Sequence, residues 1–220
     1  MPPQIAAPAK SGSWPITVGG AGIAAAQFAR CGFDVMIQAG HDKPWYDLVV
    51  TKAGNLLKIG VKASDDGRWR MAESYLQRAA HFSGKTADVH RAIGLWLDTH
   101  GERTIYCLVQ FKGVPLTQLP RIYLATPADI ARRMRDSAER LGDPVLNEQY
   151  EWTAADTGYT ANEVLPSSWL FSQERIQELL LPQSAQIMAM PPARSHSSIE
   201  MSPNSSALAG VGMRPAVLTA

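Results

Sequence analysis

Two runs of apolar and β-branched residues, Tyr46 to Lys52 and Leu56 to Ala63, are separated only by a short polar stretch containing Gly54-Asn55. So short a link, with a glycine beside an asparagine, forces the runs to fold back on each other as an antiparallel hairpin. If Gly54-Asn55 is the whole loop, Asp47 sits opposite Lys62. Side chains alternate along a strand, so Gly60 and Lys62 share one face while Ile59 and Val61 take the other. An acid and a base then stand on a common face, although a loop longer by one residue would turn Asp47 away.

The elements around this hairpin follow from periodicity. Gly22 to Cys31 is Ala-rich with helical spacing and stops at Gly32, a natural C-terminal cap. Phe33 to Ile37 reads as a strand ahead of the hairpin. Met71 to Ala80 reads as helix, and Val89, Ile93, Trp96 and Leu97 form a helical stripe ending near Gly101. Thr104 to Phe111 and Arg121 to Ala125 are strands. Thr126-Pro127-Ala128-Asp129 places a capping Thr, a first-turn Pro and an early acid ahead of a helix that Gly142 ends. Ser172 caps a last short helix before Pro182. This order predicts an α/β sandwich with an antiparallel hairpin at its centre.

Composition narrows the function classes. Twenty-one Lys plus Arg against 20 Asp plus Glu give a net charge of +1, which argues against binding polyanions through bulk charge, so any nucleic-acid contact must be local. Lys52 to Arg91 carries eight basic and four acidic residues, and Asp143 to Glu178 carries seven acidic residues with Arg175 alone. That pattern predicts a basic and an acidic side. Two cysteines, Cys31 and Cys107, are too few for a disulfide framework or a four-ligand zinc site. There is no run of about 18 apolar residues and no signal-like leader, and cytoplasmic placement is the expectation. Residues 1–13 and the Ser/Ala/Pro/Met-rich tail 183–220 are expected to be disordered around one domain, 14–182.

Two nucleotide-binding look-alikes lack their context. Gly20-Ala21-Gly22-Ile23-Ala24-Ala25 fits a dinucleotide fingerprint, but a hairpin follows where a second βα unit is required; the glycines read better as tight helix packing. Gly84-Lys85-Thr86 ends like a phosphate loop, but Ala79 replaces its first glycine and no apolar strand precedes it.

At the hairpin the chain resembles the PD-(D/E)XK nuclease superfamily, particularly its Holliday-junction resolvase-like branch, in which a helix leads into strands carrying an Asp and then Glu/Gln-x-Lys. Asp47 matches the Asp and Lys62 the Lys. The resemblance spans roughly residues 19 to 125 and implies a restriction-endonuclease-like fold: a mixed central sheet with an antiparallel hairpin flanked by helices. It also implies a magnesium-dependent DNA endonuclease in which Asp47 holds the metal and Lys62 orients or deprotonates the water, and it suggests a homodimer. Two positions depart from the pattern. Gly60 stands where Glu or Gln belongs, and Ile23 stands where the first helix would supply Glu. Asp65, Asp66 and Glu73 follow closely and are candidate substitute carboxylates.

Three readings of Asp47 and Lys62 therefore stand side by side: a cross-strand ion pair, a nuclease centre, and the site of a catalytically inactive nuclease-fold protein that binds nucleic acid or a protein partner. Arg68, Arg70, Arg78 and Lys85, interleaved with Trp69 and Tyr75, are the candidate nucleic-acid contacts. The arginines of the helix after Thr126 read as a solvated face, with phosphate binding as the sharper alternative. His81, His90 and His100 are spaced unlike metal ligands on one helix and read as surface or capping residues.

Overall fold

The computed structural model describes residues 13–38, 45–76, 85–101, 103–154 and 157–180. The first helix, α1 (Ser13–Arg30), leads into strands β1 (Asp34–Ile37), β2 (Leu48–Lys52) and β3 (Asn55–Ser64). A short strand β4 (Arg68–Trp69) and a 3-10 turn at Glu73–Tyr75 precede α2 (Lys85–Leu97). Strands β5 (Thr104–Gln110) and β6 (Arg121–Ala125), helix α3 (Pro127–Leu141), strands β7 (Leu146–Asn147), β8 (Gln149–Thr153) and β9 (Thr160–Val164), and helix α4 (Gln173–Leu180) complete the order.

The main sheet has the order β1-β2-β3-β5-β6. Its first three strands form an antiparallel meander, β5 lies parallel to β3, and β6 returns antiparallel, so the sheet is mixed. A helix-containing crossover joins β3 to β5, as a parallel pair requires. Two small pairs, β4-β7 and β8-β9, lie outside it.

The hairpin forms, but with another turn. Lys52 pairs with Asn55, and the two turn residues are Ala53 (φ 50°) and Gly54 (φ 79°). A turn with both central residues left-handed matches strand twist and favours Gly at its second position. This register sets Val50 against Leu57 and Leu48 against Ile59, all four buried. The expected one would have placed Leu57 opposite Lys52. The shift is two residues, so the alternation of faces survives.

Apolar clusters cover both faces of the sheet. Beneath α1 and α4 lie Phe28, Leu48, Val50, Ile59, Val61, Cys107, Val109 and Ile176. Beneath α2 and α3 lie Trp69, Ile93, Trp96, Tyr106, Leu108, Ile130, Met134 and Leu146. Fully burying each large side chain contributes about 1.5–3 kcal/mol.

Helix α1 begins well before Gly22 and carries the fingerprint-like glycines in its interior. Gly20 explains why a glycine is tolerated there: a Cβ on it would stand 2.6 Å from the Ala63 Cβ. Gly20 is a packing residue, whereas a Cβ on Gly22 would meet nothing within 4 Å. The expected helix Met71 to Ala80 is, within the described residues, the 3-10 turn followed by Leu76; the remainder lies outside them, as do residues 1–12 and 183–220. Thr126 and Gly142 cap α3 as expected, with the Thr126 hydroxyl accepting from the Asp129 amide and Gly142 at φ 69°. No described helix is long and apolar enough to cross a membrane.

The segregation of charge along the chain does not survive folding. Asp143 pairs with Arg68 at 2.8 Å, Glu148 with Arg121 at 2.6 Å, and Glu163 with both Arg133 and Arg140 at 3.0 and 2.8 Å. Arginines from outside the acidic stretch thus meet its carboxylates.

Candidate functional site

Asp47 lies one residue before β2. Its amide donates to the carbonyl of Ile59, the residue that already opposes Leu48, so Asp47 and Leu48 share one partner as at a β-bulge. The bulge turns the side chain back onto the sheet. There one carboxylate oxygen, Oδ2, accepts from the Val61 amide at 2.7 Å. Asp47 therefore closes the end of the β2-β3 ladder with its side chain.

Gly60 and Lys62 follow on β3, with Gly60 buried and Lys62 exposed. In the parallel register Gly60 faces Tyr106 of β5. A Cβ on Gly60 would stand 2.9 Å from the Tyr106 Cε1 and 3.2 Å from its Cδ1. The position where the resemblance calls for Glu or Gln is filled by a phenol ring. That ring is held against Trp96 at 5.7 Å between centroids.

These residues open onto a cavity of about 440 Å³ lined by Asp47, Gly60, Lys62, Arg70, Ser74 and Tyr106, with Trp45, Met71, Tyr75 and Trp96 supplying apolar wall. Asp47 and Lys62 are thus brought to one site, as the sequence predicts, though diagonally rather than directly across the ladder. Asp47 is the only carboxylate among the described lining residues.

None of the candidate substitutes, Asp65, Asp66 and Glu73, lines the cavity. Asp66 organises the turn after β3, accepting from the Ser64 hydroxyl, the Arg68 amide and Arg70 at 2.9, 2.9 and 2.7 Å. Burial pushes its carboxyl up, but these partners outweigh burial and hold it below the usual range. Glu73 lies 3.9 Å from the Arg70 guanidinium. Among the described residues no three of His, Cys, Asp and Glu gather as metal ligands do. Magnesium is held by oxygens of one or two carboxylates together with waters and phosphate. Asp47 alone meets only the lower limit of that donor set, and its Oδ2 is already taken by the Val61 amide.

Of the candidate nucleic-acid contacts, Arg70 alone is a described lining residue. Arg68 turns to Asp143, Arg78 lies outside the described residues, and Lys85 opens α2. The arginines of α3 are partly structural: Arg133 and Arg140 bind Glu163 and pack on Tyr150 and Trp152 at 5.6 and 4.1 Å. Among the residues 41–45 that enter the Asp47 strand, only Trp45 is described.

Sequence reasoning missed a hydrogen-bonded chain at the cavity. The Thr99 hydroxyl donates to the Trp96 carbonyl at 2.6 Å, which leaves its oxygen to accept from His100 Nδ1 at 3.2 Å. That assigns the Nδ1-H tautomer, so Nε2 accepts from the Tyr106 hydroxyl at 2.6 Å. Burial pushes the His100 imidazole below its usual range, and the charge of Lys62 works in the same direction. Burial likewise pushes the Tyr106 phenol well up, and the Asp47 carboxylate adds to it. Both groups are neutral at pH 7. No local signal links His100 to Tyr106, because only the turn from α2 into β5 brings them together.

Comparisons with models of known families, with curated proteins and with solved structures gave no match.

Proposed function

We propose that this chain is a restriction-endonuclease-like protein that binds nucleic acid at the Asp47-Lys62 cavity without magnesium-dependent cleavage. The fold half of the reading is supported by connectivity. The mixed sheet with an antiparallel hairpin flanked by helices is compatible with what the resemblance implies, and Asp47 enters the second strand while Lys62 lies on the third. Fold alone does not carry activity.

The observation that carries the functional half is the Tyr106 ring standing where a second carboxylate would project from position 60. It leaves Lys62 beside one carboxylate, with Arg70 at the wall already bonded to Asp66, a set in which Lys62 is able to hold a phosphodiester but which is short of oxygens for a metal. Lys62 then serves as a phosphate contact.

Anisotropy of a labelled oligonucleotide, with and without magnesium, tests this. Binding is expected to weaken as salt rises, with no cut product, and Lys62→Ala is expected to weaken it across sequences and lower the salt slope by about one contact. Magnesium-dependent cleavage that disappears in Asp47→Asn would instead establish the endonuclease. Absence of binding at low salt would remove the nucleic-acid reading altogether.

A further inference from the structure

A second cavity, about 480 Å³, adjoins the first and is lined by Trp45, Tyr46, Leu56, Lys58, Thr99, Gly101, Arg103 and Thr104. Trp45 is a wall of both cavities, and it is 64% exposed although it is one of the largest apolar side chains in the chain. Its indole lies 6.3 Å from the His100 ring at a tilt of 56°, so it is not stacked flat on a neighbour there.

Cations stand on both sides of Trp45. The first cavity offers Lys62 against Asp47, with Arg70 shared with Asp66, and the second offers Lys58 and Arg103 with no carboxylate among its described lining residues. Lys58 and Lys62 lie on the same face of β3, four residues apart, which is about 13 Å along a strand. The two ammonium groups are therefore borne at separate points along the strand. Lys58 is steadied over the Tyr46 ring at 5.2 Å, and the Lys58 amide donates to the Arg103 carbonyl, so the second pair of cations is placed by the sheet and not by an ion pair.

We propose that the two cavities form one track for single-stranded nucleic acid, with a base stacked on Trp45 and the backbone running from Lys62 and Arg70 to Lys58 and Arg103. An aromatic platform with cations on either side suits an unpaired strand, since its base can turn a π-face to the indole while its phosphates follow the charge. In a duplex that face is covered by neighbouring base pairs. This inference rests on the nucleic-acid reading of the first cavity and adds the strand state, the stacking residue and the path.

The test compares a labelled 12-nucleotide single-stranded DNA, its RNA counterpart and the matching DNA duplex, each titrated with the full chain at several salt concentrations. Either single strand is expected to bind at least tenfold more tightly than the duplex. Trp45→Ala is expected to weaken single-strand binding about tenfold or more, Trp45→Phe to restore most of it, and Lys58→Ala with Arg103→Ala to reduce the salt slope by about 1.4. Circular dichroism of each variant shows whether it has folded, which exposed positions favour. Duplex binding equal to or tighter than single-strand binding, or single-strand binding indifferent to Trp45→Ala, overturns the track while the reading of the first cavity stands, provided Lys62→Ala still weakens binding. Failure of every oligonucleotide to bind overturns both.

Discussion

The cations beside the β8-β9 hairpin and those beside the cleft are the same residue types in opposite circumstances. At the hairpin, Glu163 takes both Arg133 and Arg140, whose guanidinium groups also lie over Tyr150 and Trp152. At the cleft, Lys58, Lys62 and Arg103 make no ion pair with any described carboxylate, and Arg70 alone is paired, with Asp66. Where the chain supplies its own anion, a cation fastens one element to another. Where no carboxylate pairs with it, a cation is left for an anion from solution, as the proposed function requires. Counting basic residues along the sequence does not separate these cases, and Arg68, a candidate nucleic-acid contact that instead binds Asp143, shows why.

The comparison predicts that substitutions on the paired side act on stability and leave binding alone. The largest effect is expected at Arg121, which holds Glu148 through two nitrogens at 2.6 and 2.9 Å, while the Tyr123 hydroxyl donates to the same carboxylate at 2.8 Å. Burial alone would push the Glu148 carboxyl up. Arg121 and Tyr123 outweigh it and hold the carboxyl below its usual range, whereas burial and that carboxylate push the Tyr123 phenol up to about 12. Arg121→Ala should cost about 2 kcal/mol in urea unfolding, a figure reduced from that of a buried pair because Arg121 is partly solvated. Its pH dependence has a definite sign. The pair's contribution is present above the ordinary carboxylate pKa and is lost as pH falls through the depressed one, so the variant should lose less stability on acidification than the parent.

Glu163→Gln comes next, at about 1 kcal/mol, since the pair of arginines keeps its aromatic contacts and some hydrogen bonding. Unchanged oligonucleotide affinity in this variant sharpens the contrast; a loss of affinity as large as that of Lys62→Ala would break it.

A smaller effect belongs to the cleft side. His100 is neutral and half-buried against Tyr106 and Trp96, and its folded pKa lies below the ordinary 6.5. The unfolded chain therefore takes up the proton first. Stability from this group is full above that value and is lost as pH falls through the lower folded one. Between pH 7 and 5 the urea midpoint should drop, and His100→Gln should flatten the drop. A flat parent profile would place the imidazole in water.

Much of this was legible in the sequence. Alternation at Leu48, Val50, Ile59 and Val61, and the Thr126 and Gly142 caps, are local signals, and the strands and α3 followed from them. The meeting of Asp47 with Lys62 was legible because a two-residue slip of the hairpin preserves which face each residue takes. Three things were not. The turn moved to Ala53-Gly54 because pairing Leu57 with Val50 buries both, a tertiary preference that outweighs the local attraction of Gly54-Asn55. In the β8-β9 hairpin β8 alternates but β9, Thr-Ala-Asn-Glu-Val, carries little apolar signal, and the pair is held by Arg133 and Arg140 from α3, a contact with no sequence periodicity. Tyr106 fills the space beside Gly60 only because β5 runs parallel to β3 in that register, so the gap at position 60 could be read from sequence but not what occupies it.

The smallest expected change in stability is the one that bears most on the comparison. Lys62 is exposed and has no described anion to lose, so Lys62→Met should alter unfolding by no more than about 0.5 kcal/mol. The same variant should bind single-stranded oligonucleotide several-fold more weakly at low salt, and the difference should shrink as salt rises. Stability and affinity then move apart at one residue, which an ion pair between Asp47 and Lys62 would forbid. A destabilisation as large as that expected for Glu163→Gln would make Lys62 another fastening cation and remove the distinction between the two regions.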